Sequence, residues 1–253
     1  MNTVDSSPVD ATKRTLLKGG VAAAVITLAP GITLRTVEAA VTGPATQAKR
    51  WGMLIDATAP EGVWDLAVEA CKAEQGWGSD HNKSGKANAA TDPQWIRKVS
   101  IKNPKTGAKA SLPVMCQHCA NPPCVDVCPT GASMKREDGI VLVDKHICIG
   151  CRYCMMACPY SARSFVHEPV EMQKPHMPRG KGTVEGCTMC VHRVDKGQQP
   201  ACVEALNKAG SDAIMFGDLN DPKSDISRAV SKYVTQRIRA DLGVEPGVHY
   251  RGI

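Results

Sequence analysis

The chain has 253 residues, 31 Lys and Arg against 25 Asp and Glu, and 4% aromatic residues. That is room for one large or two small domains. It shows neither the charge imbalance of a disordered tail nor the basic runs interleaved with aromatics that grip nucleic acid. The 12 cysteines are too few and too tightly spaced for a disulfide-stapled miniprotein, and their C-x-x-C runs point to metal.

A metal-bound thiol is deprotonated. Thiolates on all the cysteines, offset by iron–sulfur cores of about two positive charges each, would bring the formal +6 close to neutrality. The basic excess therefore reads as local compensation for buried anionic clusters.

At the amino terminus, Thr12-Lys13-Arg14-Thr15-Leu16-Leu17-Lys18 leads into a modestly apolar stretch that ends at Leu34, followed by Arg35 and Val37-Glu38-Ala39. This is the order of a signal peptide over residues 1–39. Pro30 and Gly31 interrupt the apolar part, which disfavours a membrane-spanning helix. An uncleaved anchor and a basic start without a targeting role are the other readings. The basic group resembles a twin-arginine export signal with Lys13 where the first arginine is usual. A cofactor assembled before export gives a physical reason for crossing folded, and the expected location is the periplasm.

Further along, residues 49–56 read as a strand, and Val63, Leu66, Ala67, Ala70 and Cys71 recur at helical spacing behind Pro60. Residues 76–109, rich in Gly, Asn, Lys and Ser, read as a surface insertion with a strand at 95–101. Asp138-Gly139 before Ile140-Val141-Leu142-Val143 marks a hairpin, residues 213–217 a strand, and residues 224–240 a polar-faced helix. The expected organisation is a signal peptide (1–39), a linker with the first helix and insertion (40–110), a central module (111–170), a last cysteine run (171–222) and a helical tail (223–253).

Cys148-x2-Cys151-x2-Cys154-x3-Cys158-Pro159 has the spacing of the bacterial ferredoxin run, in which three cysteines bind one [4Fe-4S] cube and the fourth binds its neighbour. Cys116-x2-Cys119-x4-Cys124-x3-Cys128-Pro129 is a second run, longer by one residue around Pro122 and Pro123. By that cross-over, Cys116, Cys119, Cys124 and Cys158 hold one cube, and Cys148, Cys151, Cys154 and Cys128 hold the other. A single zinc site would leave eight cysteines unexplained. His118 and His192 lie inside cysteine runs, either as packed neighbours or as donors to a cluster sulfur. Arg136, Lys145 and Arg152 read as counter-charges, and Met155 with Met156 as an apolar wall.

The chain resembles the four-cluster iron–sulfur subunits of the dimethyl-sulfoxide-reductase type over about residues 50–222. The resemblance rests on Cys116-Gln117-His118-Cys119, Asn121-Pro122-Pro123-Cys124, Cys128-Pro129-Thr130-Gly131-Ala132, the 148–160 run, Cys187-Thr188-Met189-Cys190-Val191-His192-Arg193 and Pro200-Ala201-Cys202. It implies an α+β fold of two tandem ferredoxin-like cluster-binding modules with loop-rich insertions. Where that family carries the ligands of its fourth cluster, this chain has Glu61, Trp64, Ala67 and Leu206. The resemblance then leaves Cys71 to complete Cys187, Cys190 and Cys202, for three [4Fe-4S] clusters in all. Taken alone, Cys71 also reads as a buried cysteine on an apolar helix face.

No nucleophile triad, nucleotide-binding glycine loop or acid pair is evident, so the expected role is electron transfer without a catalytic site or substrate of its own. The resemblance implies a respiratory membrane complex linked to sulfur metabolism, with an integral membrane quinone-interacting subunit, a multihaem cytochrome c and other iron–sulfur subunits as partners. The alternative it implies is a molybdenum-dependent tetrathionate, thiosulfate or polysulfide reductase.

Overall fold

A computed structural model describes residues 25–29, 32–35, 45–78, 91–107, 109–171 and 173–253. The chain forms two compact units, residues 1–41 and 42–253. In the first, β1 (Val25–Ala29) pairs antiparallel with β2 (Ile32–Arg35). The rest of the expected signal peptide lies outside the described residues. Among them, no helix is long and apolar enough to cross a membrane.

The larger unit is built on β3 (Trp51–Asp56), the middle strand of a three-stranded sheet. It is flanked by β10 (Ile214–Asp218), antiparallel, and β11 (Val248–Arg251), parallel. Side chains alternate across a strand. Met53 and Ile55 therefore enter the main core, while Leu54 meets Ile226 and Ala229 of α6 (Asp225–Lys232) on the other face. Covered on both faces, β3 reads as an unbroken apolar run.

The helix expected behind Pro60 is α1 (Glu61–Gln75), closed by Gly76 in the left-handed conformation (φ 68°) with its N–H on Lys72 O at 2.7 Å. Its buried face is Trp64, Ala67, Cys71 and Gln75, whereas Leu66 is 47% exposed. The face is thus turned toward Trp64 relative to the apolar spacing, because the bulky indole, with its N–H on Ser111 O at 2.9 Å, takes the interior position. α1 packs on α5 (Ala201–Lys208).

The expected insertion is only partly a surface feature. Residues 79–90 lie outside the described residues, but Trp77 and Trp95 on either side are buried. β4 (Ile96–Lys102) pairs in register with β5 (Lys109–Met115), Ile96 opposite Met115.

The hairpin marked by Asp138-Gly139 joins β6 (Ser133–Lys135) to β7 (Val141–Val143). Two short helices, α2 (Pro123–Asp126) and α3 (Tyr153–Ala157), and the small ladder of β8 (Ser164–Phe165) with β9 (Val184–Glu185) complete the central region. α4 (Val191–Val194) sits inside the last cysteine run.

The carboxy-terminal expectation is corrected. α6 stops at Lys232, and the tail returns as β11 with Val248 and Tyr250 fully buried and the Tyr250 hydroxyl on Pro113 O at 3.1 Å. The apolar and aromatic residues of this last strand fill the open edge of β3, where a polar helix would leave backbone groups unpaired.

Candidate metal centre

All 12 cysteines are free thiols. All but Cys71, which lies in the second half of α1, come from loops or short helix starts, and the loops share one device. In three of the four Cys-x-x-Cys pairs the residue just before the second cysteine has positive φ, His118 at 44°, Gly150 at 70° and Met189 at 51°, and in the pair of Cys151 and Cys154 it is Arg152, one residue earlier, at 66°. A left-handed step there curls the chain so that both thiols face inward.

The thiols sort by proximity, each close enough to feel the charge of its neighbours. Cys116 and Cys119 lie near Cys124 and Cys158, the first set. Cys154 lies near Cys128 and Cys148, and these three with Cys151 line one hollow, the second set. Cys71 lies near Cys187, Cys190 and Cys202, the third set. The sets run in a row. Cys187 of the third feels Cys116 of the first, and Cys154 of the second feels Cys124 of the first.

Nitrogen donors point at these sulfurs. Gln75 Nε2 donates to Cys190 Sγ at 3.1 Å, and Trp77 Nε1 to Cys71 Sγ at 3.2 Å. Backbone N–H groups of Ser133, Met189 and Ala162 reach Cys128, Cys187 and Cys158 at 3.3, 3.5 and 3.5 Å. The Arg163 guanidinium donates to Cys124 Sγ at 3.3 Å and Ser133 Oγ at 3.1 Å.

Burial holds the Cys71 and Cys187 thiols well above their ordinary value and pushes Cys116 up to about 11 and Cys119 and Cys202 up to about 12. Deprotonating so many buried thiols requires a bound cation. Four-sulfur donor sets and N–H groups on sulfur fit an iron–sulfur cube. A lone zinc ion would draw its thiolates in to about 2.3 Å.

At Glu61, Trp64, Ala67 and Leu206, expected in place of a fourth cluster's ligands, no thiol set forms. Trp64, Ala67 and Leu206 are fully buried in the core where α1 meets α5, and Glu61 stands in the exposed first turn of α1.

Several expected neighbours do other work. His192 does not donate to sulfur: its Nε2 meets Glu74 Oε1 at 2.7 Å, its ring stacks on His176, and Arg193 holds the other Glu74 oxygen at 3.0 Å. His118 accepts the Val141 N–H on Nδ1 at 3.0 Å, and burial pushes its pKa down to about 3. Arg136 is engaged by Asp138 and Asp195. Lys145 sits over Trp95 with its Nζ on Met177 Sδ at 3.1 Å. Arg152 packs on the Phe165 ring beside the second set. Met155 packs against the core, but Met156 is 73% exposed and walls nothing off.

The sulfur donors Gln75, Trp77 and Arg163 are not among the residues that the sequence singles out. Gln75 was within reach of it, since it follows Cys71 by one helical turn on the same face. Also unforeseen is the buried pair Arg179–Glu185, whose arginine donates to Gly76 O as well. It ties the end of α1, with Cys71, to the segment that carries Cys187.

Residues 108–219 match the 4Fe-4S dicluster domain family. The chain is 40% identical over 265 residues to the Hdr-like menaquinol oxidoreductase iron-sulfur subunit 1 of Archaeoglobus fulgidus, covering 94% of this chain and 96% of that one. A polysulfide reductase polypeptide of Wolinella succinogenes is 34% identical over 205 residues, 79% of this chain and 92% of its own. A tetrathionate reductase polypeptide of Salmonella typhimurium is 42% identical over 144 residues, 56% of this chain and 53% of its own. Taken with the thiol geometry, these likenesses mean that the protein belongs to the family of the Hdr-like menaquinol oxidoreductase iron-sulfur subunit 1, with a 4Fe-4S dicluster domain inside it.

Proposed function

We propose that the chain is a three-cube electron relay in a membrane-associated respiratory complex, with no bond-making site of its own. One cube is held by Cys116, Cys119, Cys124 and Cys158, the next by Cys128, Cys148, Cys151 and Cys154, and the third by Cys71, Cys187, Cys190 and Cys202. The two central cubes form one ferredoxin-like module, and the first and last runs form the remnant of a second. The observation that carries the reading is that the 12 thiols divide into three sets of four with none left over.

Each cube supplies a one-electron site, and the protein sets its potential through burial and hydrogen bonds to sulfur. Here the N–H groups of Gln75, Trp77, Ser133, Met189 and Ala162 favour the more negative reduced state, while burial opposes it.

The complex in this reading passes electrons between a quinone-interacting membrane subunit and further redox subunits, a multihaem cytochrome c and other iron–sulfur proteins. The name of the A. fulgidus relative supports a quinol as electron partner. An export signal over residues 1–39 would deliver the folded chain to the periplasm. The specific assignment is the periplasmic iron–sulfur subunit of the membrane complex associated with dissimilatory sulfite reductase.

A second reading, the electron-transfer subunit of a molybdenum-dependent reductase, is favoured by the similarity to the tetrathionate and polysulfide reductase polypeptides. Against it stand Trp64, Ala67 and Leu206, which fill the end of the row that would face a molybdenum subunit.

The test is iron analysis of the chain purified without oxygen, together with metal and haem analysis of the complex it brings down. About twelve irons per chain, with haem and no molybdenum, is the expected result. About eight or sixteen irons would end the three-cube account, and stoichiometric molybdenum would select the second reading.

A further inference from the structure

Arg163 is 6% exposed and, among the described residues, has no carboxylate partner. A guanidinium is always charged, and burying one unpaired costs several kcal/mol. What surrounds it is sulfur. Its Nη2 donates to Cys124 Sγ at 3.3 Å and to Ser133 Oγ at 3.1 Å, and Cys116 and Cys154 are near enough to act on its charge. Its Nη1 has no protein partner.

Cys116 and Cys124 belong to the first set, and Cys154 to the second. Ser133, which accepts from the same Arg163 nitrogen, gives its backbone N–H to Cys128 Sγ of the second set at 3.3 Å. Cys124 Sγ, Arg163, Ser133 and Cys128 Sγ therefore form one hydrogen-bonded path from one set to the other.

We propose that Arg163 is the shared counter-cation of the two central clusters, raising both of their reduction potentials at once. The inference rests on the three-cube reading and adds a specific residue to it. Each cube takes up one electron and becomes more negative by one charge. A fixed cation beside both favours the reduced form of both. The third set takes its side-chain hydrogen bonds from Gln75 and Trp77 and feels a different guanidinium, that of Arg193, on Cys190 and Cys202, so its cluster should respond less to Arg163.

The test is an EPR-monitored redox titration of the anaerobic full chain, comparing wild type with Arg163→Gln and Arg163→Lys. The signal missing from a Cys71→Ala chain marks the third cluster. In Arg163→Gln, the reduction equilibrium of both central clusters should fall at least tenfold, about 59 mV for a one-electron couple, and that of the third by less. Arg163→Lys, which keeps the charge, should return most of that shift.

A shift in only one central cluster, or in neither, overturns the proposal. Should Arg163→Gln lose iron, pulsed EPR of the wild-type chain carrying 15N-guanidino arginine decides instead. A label-dependent nitrogen coupling must appear on two distinct reduced clusters, and its appearance on one or none overturns the proposal. A wild-type chain without two magnetically interacting cubes overturns both this proposal and the reading beneath it.

Discussion

The third thiol set and the second offer the same ligand chemistry in opposite surroundings. Cys71, Cys187, Cys190 and Cys202 are all buried, with side-chain donors from Gln75 at the end of α1 and from Trp77 just beyond it, and the buried Arg179–Glu185 pair is tied to Gly76 between them. In the second set only Cys154 is buried. Cys128 and Cys148 are half-buried, Cys151 is exposed, and Ile149, Tyr153 and Met156 stand exposed around it. Since the first set lies between them, the row has one sealed end and one open end. An electron entering or leaving through protein surface meets the shorter barrier at the open end. The sealed end is where burial and hydrogen bonding, rather than solvent, set the potential.

The largest test of that contrast removes one thiol from each end. In Cys71→Ala no water can reach the gap, so the whole cube should be lost and the iron content fall to about eight per chain. In Cys151→Ala, solvent can supply an oxygen ligand or the cube can shed one iron, so about eleven or twelve should remain. Iron analysis with EPR of the two proteins checks it, and equal losses from both ends would erase the distinction. Next in size is Trp64→Ala, which empties an indole-sized space at the sealed end. It should cost about 3–5 kcal/mol of stability and leave the iron count unchanged, measured by denaturation and iron assay side by side. A loss of iron from the third set instead would mean that Trp64 supports that set directly.

Which parts of this arrangement could be read from the sequence follows from the range of the forces involved. Ligand spacing is local, so the runs from Cys116 to Cys158 and their cross-over partners are visible as text, and proximity in the structure groups the same residues. β3, β10 and the β6–β7 hairpin are equally legible, because short apolar runs and an Asp-Gly turn are short-range signals. Cys71 is different. Its companions are 116 or more positions away, and only the missing partners of a fourth cluster hinted at its place. β11 and the early end of α6, expected to run on to residue 240, were missed for a related reason. Val248-His249-Tyr250 carries too few residues to announce a strand, and it becomes one because the edge of β3 needs a partner. The orientation of α1 was misjudged at Leu66 since apolar spacing marks a stripe, not which edge of the stripe meets the core. Arg163, five residues beyond Cys158 and between Ala162 and Ser164, stands in a mixed polar stretch, and nothing local in the sequence marks it as buried.

A smaller effect is expected at Gly150, inside the second set. Its φ is 70°, and a Cβ there would run into the backbone oxygen of Gly182. Gly150→Ala combines left-handed strain with a backbone clash, so it should cost about 1–3 kcal/mol and loosen the cube held by Cys148 and Cys151 before the other two. Iron release to a chelator, followed by the EPR signals of the remaining cubes, measures this. Simultaneous loss of all three would show that the ends of the row are mechanically coupled rather than independent.

Smallest is Met156→Ser. Met156 follows Cys154 by two residues, is 73% exposed and makes no contact that closes the core, so its replacement should change stability by no more than about 0.5 kcal/mol. Its effect should lie elsewhere. Like Ile149 and Tyr153 it is an exposed apolar side chain within five residues of Cys151, the most accessible thiol, and a hydroxyl there should make the local surface of the second set more wettable. The melting temperature should therefore hold while iron loss from that set in air quickens, and Leu66→Ser, an exposed change on α1 beside the sealed end, should do neither. If the two substitutions behave alike, exposure around Cys151 is ordinary surface, and the openness of that end of the row has no bearing on its cluster.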